Sequence, residues 1–290
     1  MLKKTDIIKK IGYLFLFLGL ALVFFHKYPD TWPFSFLIKN FYANFSAEFI
    51  SISITILLIN YLYESKEEKS LKLRLIRELG SEEKGLSSRA VKELREKGWL
   101  QDGTLINADL NNANLSNLNL SGSNLNGVNL ENADLSNANF SNCKMNDTNL
   151  SSTKALQINL ENTELNNAKL HSSNLYSAIL NKTKINNSDF MNSNLELAEI
   201  IDSEFSKCQF EDVNFRVSNL SRTKFIECIL LRADVHSSNI KGSKFERCDI
   251  NNIKNWRELI EKTDDSFLAP RNIPDEFLDC NDNNSQNSEQ

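Results

Sequence analysis

The stretch LINADLNNANLSNLNLSGSNLNGVNLENADLSNANF, residues 105–140, indicates the fold because its pattern repeats at every fifth position. From Leu105 to Ile250 every fifth residue is apolar, which makes 30 consecutive positions, and only Ala155 among them is small. The residue two places earlier is small in nearly every unit, and the remaining three are mostly polar. Neither a helical period nor a strand period fits this pattern. The repeat therefore predicts a solenoid in which each turn covers the core of its neighbour.

Individual units resemble the A(D/N)LXX unit of pentapeptide repeat proteins, as in AlaAspLeuAsnAsn (108–112) and AlaAspLeuSerAsn (133–137). The segment 90–105 also resembles the lead-in of membrane-anchored members. The resemblance implies an all-β solenoid, a right-handed quadrilateral β-helix with four units per coil and the central and small residues pointing inward. Residues 105–250 would then form about seven coils and a rod about 35 Å long, at about 4.8 Å per coil.

In such a coil, core positions that differ by 20 in number stack on one another. We therefore expect one ladder of Phe205, Phe225 and Phe245, and a second ladder of Phe190 and Phe210 on the neighbouring face. Because the early coils use Leu and the late coils use Phe, the far end of the rod should have the thicker core.

The sequence contains no pattern typical of a catalytic, cofactor-binding or metal-binding site. The five Cys lack CxxC spacing, and four of them occupy the small inward position, where we expect them to pack as small apolar side chains. His171 and His236 are outward positions in distant coils and on different faces. A solid core also leaves no ligand-sized cavity. We predict no enzyme activity, no cofactor and no small-molecule substrate.

The charge does not favour a nucleic-acid partner. The net charge is -5, and residues 104–253 carry 17 acidic and 13 basic side chains. The resemblance raises one alternative, since some soluble pentapeptide repeat proteins protect DNA gyrase by mimicking DNA. This chain departs from them because its charge is nearly balanced, it lacks projecting loops, and it carries an expected membrane anchor.

Residues 1–63 contain two apolar runs, Ile11–Phe25 and Phe45–Tyr63. Because about 20 apolar residues cross a bilayer, they predict a hairpin with spans at about 7–28 and 45–63. A cleaved signal peptide is the alternative for the first run. It is disfavoured because no small-x-small site follows Phe25 and a second apolar run comes next.

Basic residues predict the orientation of the hairpin. Four lysines precede the first apolar run and five basic residues lie within 66–77, whereas the 26–42 loop has only Lys27 and Lys39. The positive-inside rule then places both termini in the cytoplasm. The expected location is the bacterial inner (cytoplasmic) membrane, with the lipid bilayer as one partner.

Helices are predicted at 64–79 and at about 88–97, with Ser87 or Ser88 as the N-cap of the second. Trp256, Leu259 and Ile260 have helical spacing and would cover the far end of the solenoid. The predicted division is a transmembrane hairpin (1–63), a helical linker and N-terminal cap (64–102), the repeat (103–253), a C-terminal cap (254–279) and a disordered tail (280–290).

One outward line of residues is apolar in four consecutive coils, at Leu156, Tyr176, Leu197 and Val217. A bulge at the weak unit of Ala155 would instead turn Leu156 inward. Single apolar residues are normal on protein surfaces, which is one explanation of this line. Because most other outward positions are polar, the other is that these four residues contact a partner, and this is the hypothesis we adopt. The predicted function is a membrane-anchored scaffold that binds an unknown cytoplasmic protein or a second copy of itself.

A second functional hypothesis is an oligomeric pore formed by the hairpin, with the β-helix as its sensor or assembly domain. Ser51, Ser53 and Thr55 would line such a pore through one polar face of the second span. Small hydroxyl residues are equally common in helix packing within membranes.

Overall fold

The computed structural model describes residues 4–25 and 35–255 and divides the chain into two compact units, Met1–Leu73 and Arg74–Gln290. The predicted end of the first span at 26–28 lies outside the described residues. So do most of the predicted C-terminal cap and the whole predicted tail.

The first unit is a pair of antiparallel helices. Helix α1 comprises Lys4–Phe25, and helix α2 comprises Ser35–Leu79, of which the residues up to Leu73 belong to this unit. Both are long and apolar enough to cross a membrane, and only 11% and 17% of the two apolar segments are buried. Their apolar side chains thus point mainly outward, unlike those of a core helix in a soluble protein.

Two glycines set how closely these helices approach. A Cβ atom added to Gly12 would lie 2.8 Å from Cδ2 of Leu57, and one added to Gly19 would lie 2.8 Å from Cγ1 of Ile50. The hydroxyl of Ser53 donates a hydrogen bond of 2.8 Å to the carbonyl of Gly12. Small residues and a hydroxyl bond between helices are the usual means of packing helices in lipid.

The prediction that three hydroxyl residues of α2 share one polar face is wrong. Ser53 is fully buried against α1, whereas Ser51 and Thr55 are exposed. Residues two apart on a helix differ by about 200° in direction, so Ser51 and Ser53 cannot point the same way. Of the three residues named for the pore, only Ser51 and Thr55 share an exposed face, where the hydroxyl of Thr55 donates a 2.9 Å hydrogen bond to the carbonyl of Ser51.

The second unit begins with the end of α2 and with α3, which comprises Lys84–Glu96. Helix α3 starts four residues earlier than predicted, and Glu83 occupies the N-cap position. Ser87 lies inside the helix, fully buried, and its hydroxyl donates a 2.5 Å hydrogen bond to the carbonyl of Asn114. The hydroxyl also donates to the carbonyl of Lys84 at 3.2 Å, so it bonds to the repeat and within its own helix but does not cap a helix amide.

The segment before the repeat satisfies backbone groups of the first repeat units. The amide of Asn114 donates to the carbonyl of Ser81 at 2.9 Å, and the amide of Asn124 donates to the carbonyl of Leu100 at 2.9 Å. Left without partners, these groups would form an open strand edge.

The repeat is held together by parallel pairing between positions that differ by 20 in number. Isolated bridges run from Asp109↔Asn129 to Asp234↔Lys254. Four short strands pair in the same register and in the order β1-β2-β3-β4. They are β1 (Lys184–Asn186), β2 (Glu204–Ser206), β3 (Lys224–Ile226) and β4 (Lys244–Glu246).

The core is formed as the five-residue pattern predicts. All 30 central residues from Leu105 to Ile250 are at most 2% exposed. The predicted phenylalanine ladders are confirmed, with ring centroids 5.2 Å apart for Phe205 and Phe225 and 4.9 Å apart for Phe225 and Phe245. The rings of Phe190 and Phe210 stack at 4.9 Å.

The weak unit does not form a bulge. Ala155 remains inward and 1% exposed, and the preceding Lys154 bridges to both Asp134 and Asn174 in the common register. Leu156 therefore stays on the outer surface, where it is partly exposed.

Candidate protein-binding surface

One position in each repeat unit has a left-handed backbone. It follows the central residue by two places, and φ lies between 53° and 60° at its non-glycine members. Asn is frequent there because its short polar side chain tolerates this conformation better than other side chains do. Since equivalent positions one coil apart are adjacent in space, they form lines along the repeat, which we call turn columns.

In three of the turn columns, neighbouring residues of the later coils form ion pairs. We call these the ionic columns, and their pairs are Arg222 with Asp202, Arg232 with Asp212, and Arg247 with Glu227. The Arg232 guanidinium is bidentate, with Nε 2.9 Å and a terminal nitrogen 2.6 Å from the two oxygens of Asp212. This hydrogen bonding lowers the pKa of the Asp212 carboxyl from its ordinary value.

The fourth turn column is apolar at the same level of the repeat. Leu197 has φ 58° and is 40% exposed, and Val217 has φ 56° and is 48% exposed. A β-branched residue at positive φ is an outlier, and this conformation costs about 1–2 kcal/mol for a residue other than glycine. Neither side chain can offset that cost with an ion pair.

The other two predicted contact residues lie in the adjacent column, one place nearer the central residue. Leu156 and Tyr176 are both partly exposed there, and the carbonyl of Tyr176 accepts a 2.8 Å hydrogen bond from the amide of Gln157. All four residues thus lie on the outer surface of one face, in two neighbouring columns. We call this set, Leu156, Tyr176, Leu197 and Val217, the apolar stripe.

Sequence reasoning found the stripe but missed the left-handed turn position and the ion pairs. Both left a signal in the sequence. The turn position is rich in Asn, and opposite charges recur one coil apart, as in Asp202 and Arg222. These signals become visible only when the sequence is aligned in rows of 20.

The described residues contain no group of three or more His, Cys, Asp or Glu side chains that could hold a metal ion. The four cysteines within these residues are free and buried. Burial raises the pKa of the Cys143 thiol to about 11, so that thiol is protonated and unreactive near neutral pH. His171 lies 3.6 Å from Asp189 and 3.1 Å from the hydroxyl of Ser151, both in neighbouring coils, and His236 does not contribute to this group.

A family model described as a pentapeptide repeat region matches residues 100–170, 158–233 and 178–256, which together cover 157 of the 290 residues. No catalytic family is indicated. A comparison with curated proteins finds no match.

Solved structures of pentapeptide repeat proteins are similar to this chain. HetL, involved in heterocyst differentiation regulation in the cyanobacterium Nostoc sp. strain PCC 7120, is 16% identical, with a TM-score of 0.25 and coverage of 55% of this chain and 93% of HetL. The Nostoc protein alr5209 is 26% identical, with a TM-score of 0.29 and coverage of 34% and 78%. QnrB1, a plasmid-mediated fluoroquinolone resistance protein, is 13% identical, with a TM-score of 0.26 and coverage of 55% and 91%.

Three independent features agree, namely the match to the family model, the common parallel register from coil to coil, and the buried central residue of every unit. Proteins of this kind fold as right-handed β-helices. The chain belongs to the pentapeptide repeat family.

Proposed function

We propose that this protein is a membrane-tethered, non-enzymatic scaffold that binds another protein on the cytoplasmic face of the bacterial inner membrane. The apolar stripe is the observation that carries this proposal. It combines exposed apolar side chains with an unfavourable backbone conformation at Leu197 and Val217. The fold requires a positive φ at this position of every unit, so the particular feature of the stripe is that exposed Leu and Val, which tolerate this conformation less well than Asn, occupy it.

The helix pair supports the membrane tether. Lys9 at the start of α1 forms an ion pair of 2.8 Å with Glu64, which follows the apolar part of α2. The basic N-terminus and the basic segment after the second span therefore lie at the same end of the helix pair. Under the positive-inside rule that end is cytoplasmic, which makes the protein a two-span protein with both termini inside.

The register of the repeat supports a quadrilateral β-helix of about seven coils. Each bridge joins positions that differ by 20 in number, and one such interval contains four repeat units, each with its own turn. If each unit forms one side of the coil, a coil has four sides. The long straight surface of such a rod is suited to displaying binding residues at a fixed spacing.

Photo-crosslinking in cells tests the binding role. A photoreactive amino acid in place of Tyr176 or Leu197 should yield a discrete adduct that mass spectrometry can identify. Ile229 is the matched control, because it is 38% exposed, apolar and outside the stripe. Discrete adducts from the stripe but not from Ile229 are expected, and their absence from all stripe positions would overturn the proposal.

A charge substitution provides an independent test. Replacing both Tyr176 and Leu197 with Lys should abolish the complex because two charges would be buried against the partner. The measurement is migration of the detergent-solubilised complex on a sizing column. Unchanged migration would contradict a role of the stripe in binding.

The tether has its own test. The protein should remain in the membrane fraction after alkaline carbonate extraction, and a reporter that is active only in the cytoplasm should be active at either terminus. Release by carbonate, or an inactive reporter at one terminus, would overturn the proposed topology. Neither result would bear on the binding role of the stripe.

A further inference from the structure

We propose that the sheet face on which β1–β4 lie is a self-association surface, against which a second copy of this chain packs in antiparallel orientation. The face is separate from the apolar stripe and leaves the stripe uncovered. Self-association therefore adds to the proposed binding role and does not depend on it. A row of charged side chains that is complementary to itself carries the proposal.

One outward column is charged in six consecutive coils. Its members directly precede the central residues of their units, and we call them the charged column: Lys144, Glu164, Lys184, Glu204, Lys224 and Lys244. Parallel pairing stacks each member on the next. The sign of the charge alternates over the first five positions. The equivalent columns of the other three units in the coil never have more than two charged residues in succession.

The charged column is not neutralised within the chain. Its acidic members lie one coil from basic members, yet in the described part of the chain none of the six side chains forms an ion pair or a side-chain hydrogen bond. In the equivalent column of another unit, by contrast, Lys154 pairs with Asp134 at 3.1 Å across one coil. Five members are exposed and Glu204 is half-buried. These charges are therefore available to a partner.

The face that carries these charges is suited to packing against another sheet. Among the described residues, the four strands β1–β4 all lie on it. Beneath them the rings of Phe205, Phe225 and Phe245 stack at 5.2 Å and 4.9 Å, which supports the strands from inside. Two such faces can pack at about 10 Å, the usual distance between sheets.

A twofold axis perpendicular to the repeat sets each column of one copy against the same column of the other, in the opposite direction. With the axis between the levels of Glu164 and Lys184, Glu164 of one copy faces Lys184 of the other. Lys144 likewise faces Glu204, and each contact occurs twice. Four contacts between opposite charges result, and Lys224 faces the neutral Asn124.

The other two columns of this face agree with the same register. In the turn column at its edge, Asp147 faces Lys207. In the column that follows the central residues, Asn146 faces Ser206. Like charges do not meet in any of the three columns, so the complementarity extends across the face.

Other arrangements lose this complementarity. An axis at the level of Lys184 sets Lys184 against itself, Glu164 against Glu204 and Lys144 against Lys224. A parallel pair sets the charged column against the largely neutral column that follows the central residues, and its charges then find no partner. The alternation therefore selects one antiparallel register, as charge complementarity usually selects register more than affinity.

The proposed tether supplies what the charges lack in affinity. Two copies held in one membrane have a high effective concentration, so a modest contact is enough to pair them. The axis also lies near position 174, close to the midpoint of residues 105–250, so the two repeats overlap along nearly their full length.

Crosslinking in the membrane tests the arrangement. Two differently tagged full-length copies are produced together, both with Cys280→Ser, one with Asn146→Cys and the other with Ser206→Cys. The four cysteines of the repeat are buried and should not react. A bismaleimide that reaches about 10 Å should join the two copies, because the two positions face each other across packed sheets.

Like positions provide the geometric control. Antiparallel packing separates two Asn146→Cys thiols by three coils, about 14 Å along the repeat, so this pair should crosslink poorly. A yield for the like pair equal to or above that of the mixed pair would overturn the antiparallel arrangement. Absence of crosslinks in every pair would overturn self-association.

Reversal of charge tests the complementarity. When both copies carry Glu164→Lys, two like-charge contacts with Lys184 replace two contacts between opposite charges, and the mixed crosslink should fall at least about tenfold. When one copy carries Glu164→Lys and the other Lys184→Glu, both contacts again join opposite charges and the yield should recover. A repaired fold cannot cause recovery, because each copy keeps its own substitution. Loss without recovery, or no loss, would overturn the proposal.

A matched control reverses a charge in the same column without a charged partner. Lys224→Glu in both copies should leave the yield unchanged, because Lys224 faces Asn124. A loss as large as that caused by Lys184→Glu in both copies would contradict the register and overturn the proposal. These results are independent of photo-crosslinking from Tyr176, so failure here leaves the proposed role of the stripe standing.

Discussion

Val217 and Arg232 occupy equivalent positions in two turn columns, and their φ values of 56° and 57° are nearly identical. Arg232 is bonded through two nitrogens to Asp212, one coil earlier, whereas Val217 follows Leu197 and is 48% exposed. In the ionic column, a side-chain interaction within the chain accompanies the left-handed backbone. In the fourth turn column, no ion pair accompanies the left-handed backbone at Leu197 and Val217. The contrast indicates that the backbone alone does not dictate the outer residues.

The largest effect is expected in the core that lies beneath both kinds of column. Phe225→Ala removes the middle ring of a stack whose centroids are 5.2 Å and 4.9 Å apart, and it should lower the free energy of unfolding by about 3–5 kcal/mol. Denaturant unfolding of the full chain in detergent measures this. Phe225→Leu is the control and should cost less. A loss as small as that of a surface substitution would mean that the coils do not unfold together.

A reciprocal exchange between two turn columns tests the contrast itself. Val217→Asn should raise the free energy of unfolding by about 1 kcal/mol, because Asn tolerates positive φ and Val does not. Asn192→Val, at φ 57° in an ionic column, should lower it by a similar amount. Thermal unfolding of both variants measures the two shifts. If they had the same sign, backbone strain would not explain the contrast.

The smallest effect is expected at the surface ion pairs, because exposed pairs stabilise little. Arg232→Gln should lower the stability slightly near neutral pH. The pKa of Asp212 is lowered in the folded state, so the stabilisation is present above the ordinary carboxyl pKa and disappears as the pH falls through the folded value.

The pH dependence is the measurement for this pair. The difference in unfolding midpoint between the natural protein and Arg232→Gln should shrink as the pH is lowered from neutral toward the carboxyl range, and it should shrink with added salt. Val217→Asn is the control because it changes no charge, so its effect should not depend on pH in this range. A constant difference for Arg232→Gln would show that the pair does not stabilise the fold through its charge.

The five-residue pattern predicted the solenoid, and the resemblance to pentapeptide repeat proteins added the coil of four units, the inward columns and the phenylalanine ladders. One pattern recurs at 30 central positions, so a departure at a single unit such as Ala155 does not change the register of its neighbours. Local signals were weaker where they depended on a single residue. Ser87 was predicted as an N-cap, but α3 begins at Lys84 and the hydroxyl of Ser87 bonds to Asn114, far along the sequence.

The use of the outer residues, by contrast, depended on the tertiary structure. Whether Arg232 pairs with Asp212, whether Leu156 stays outward, and whether Ser53 points at Gly12 all depend on which residues the fold brings together from different coils or helices. The physical reason is that burial in the core is a property of each repeat unit, whereas an ion pair or a hydrogen bond between coils or helices is a relation between residues that are adjacent in space and distant in sequence.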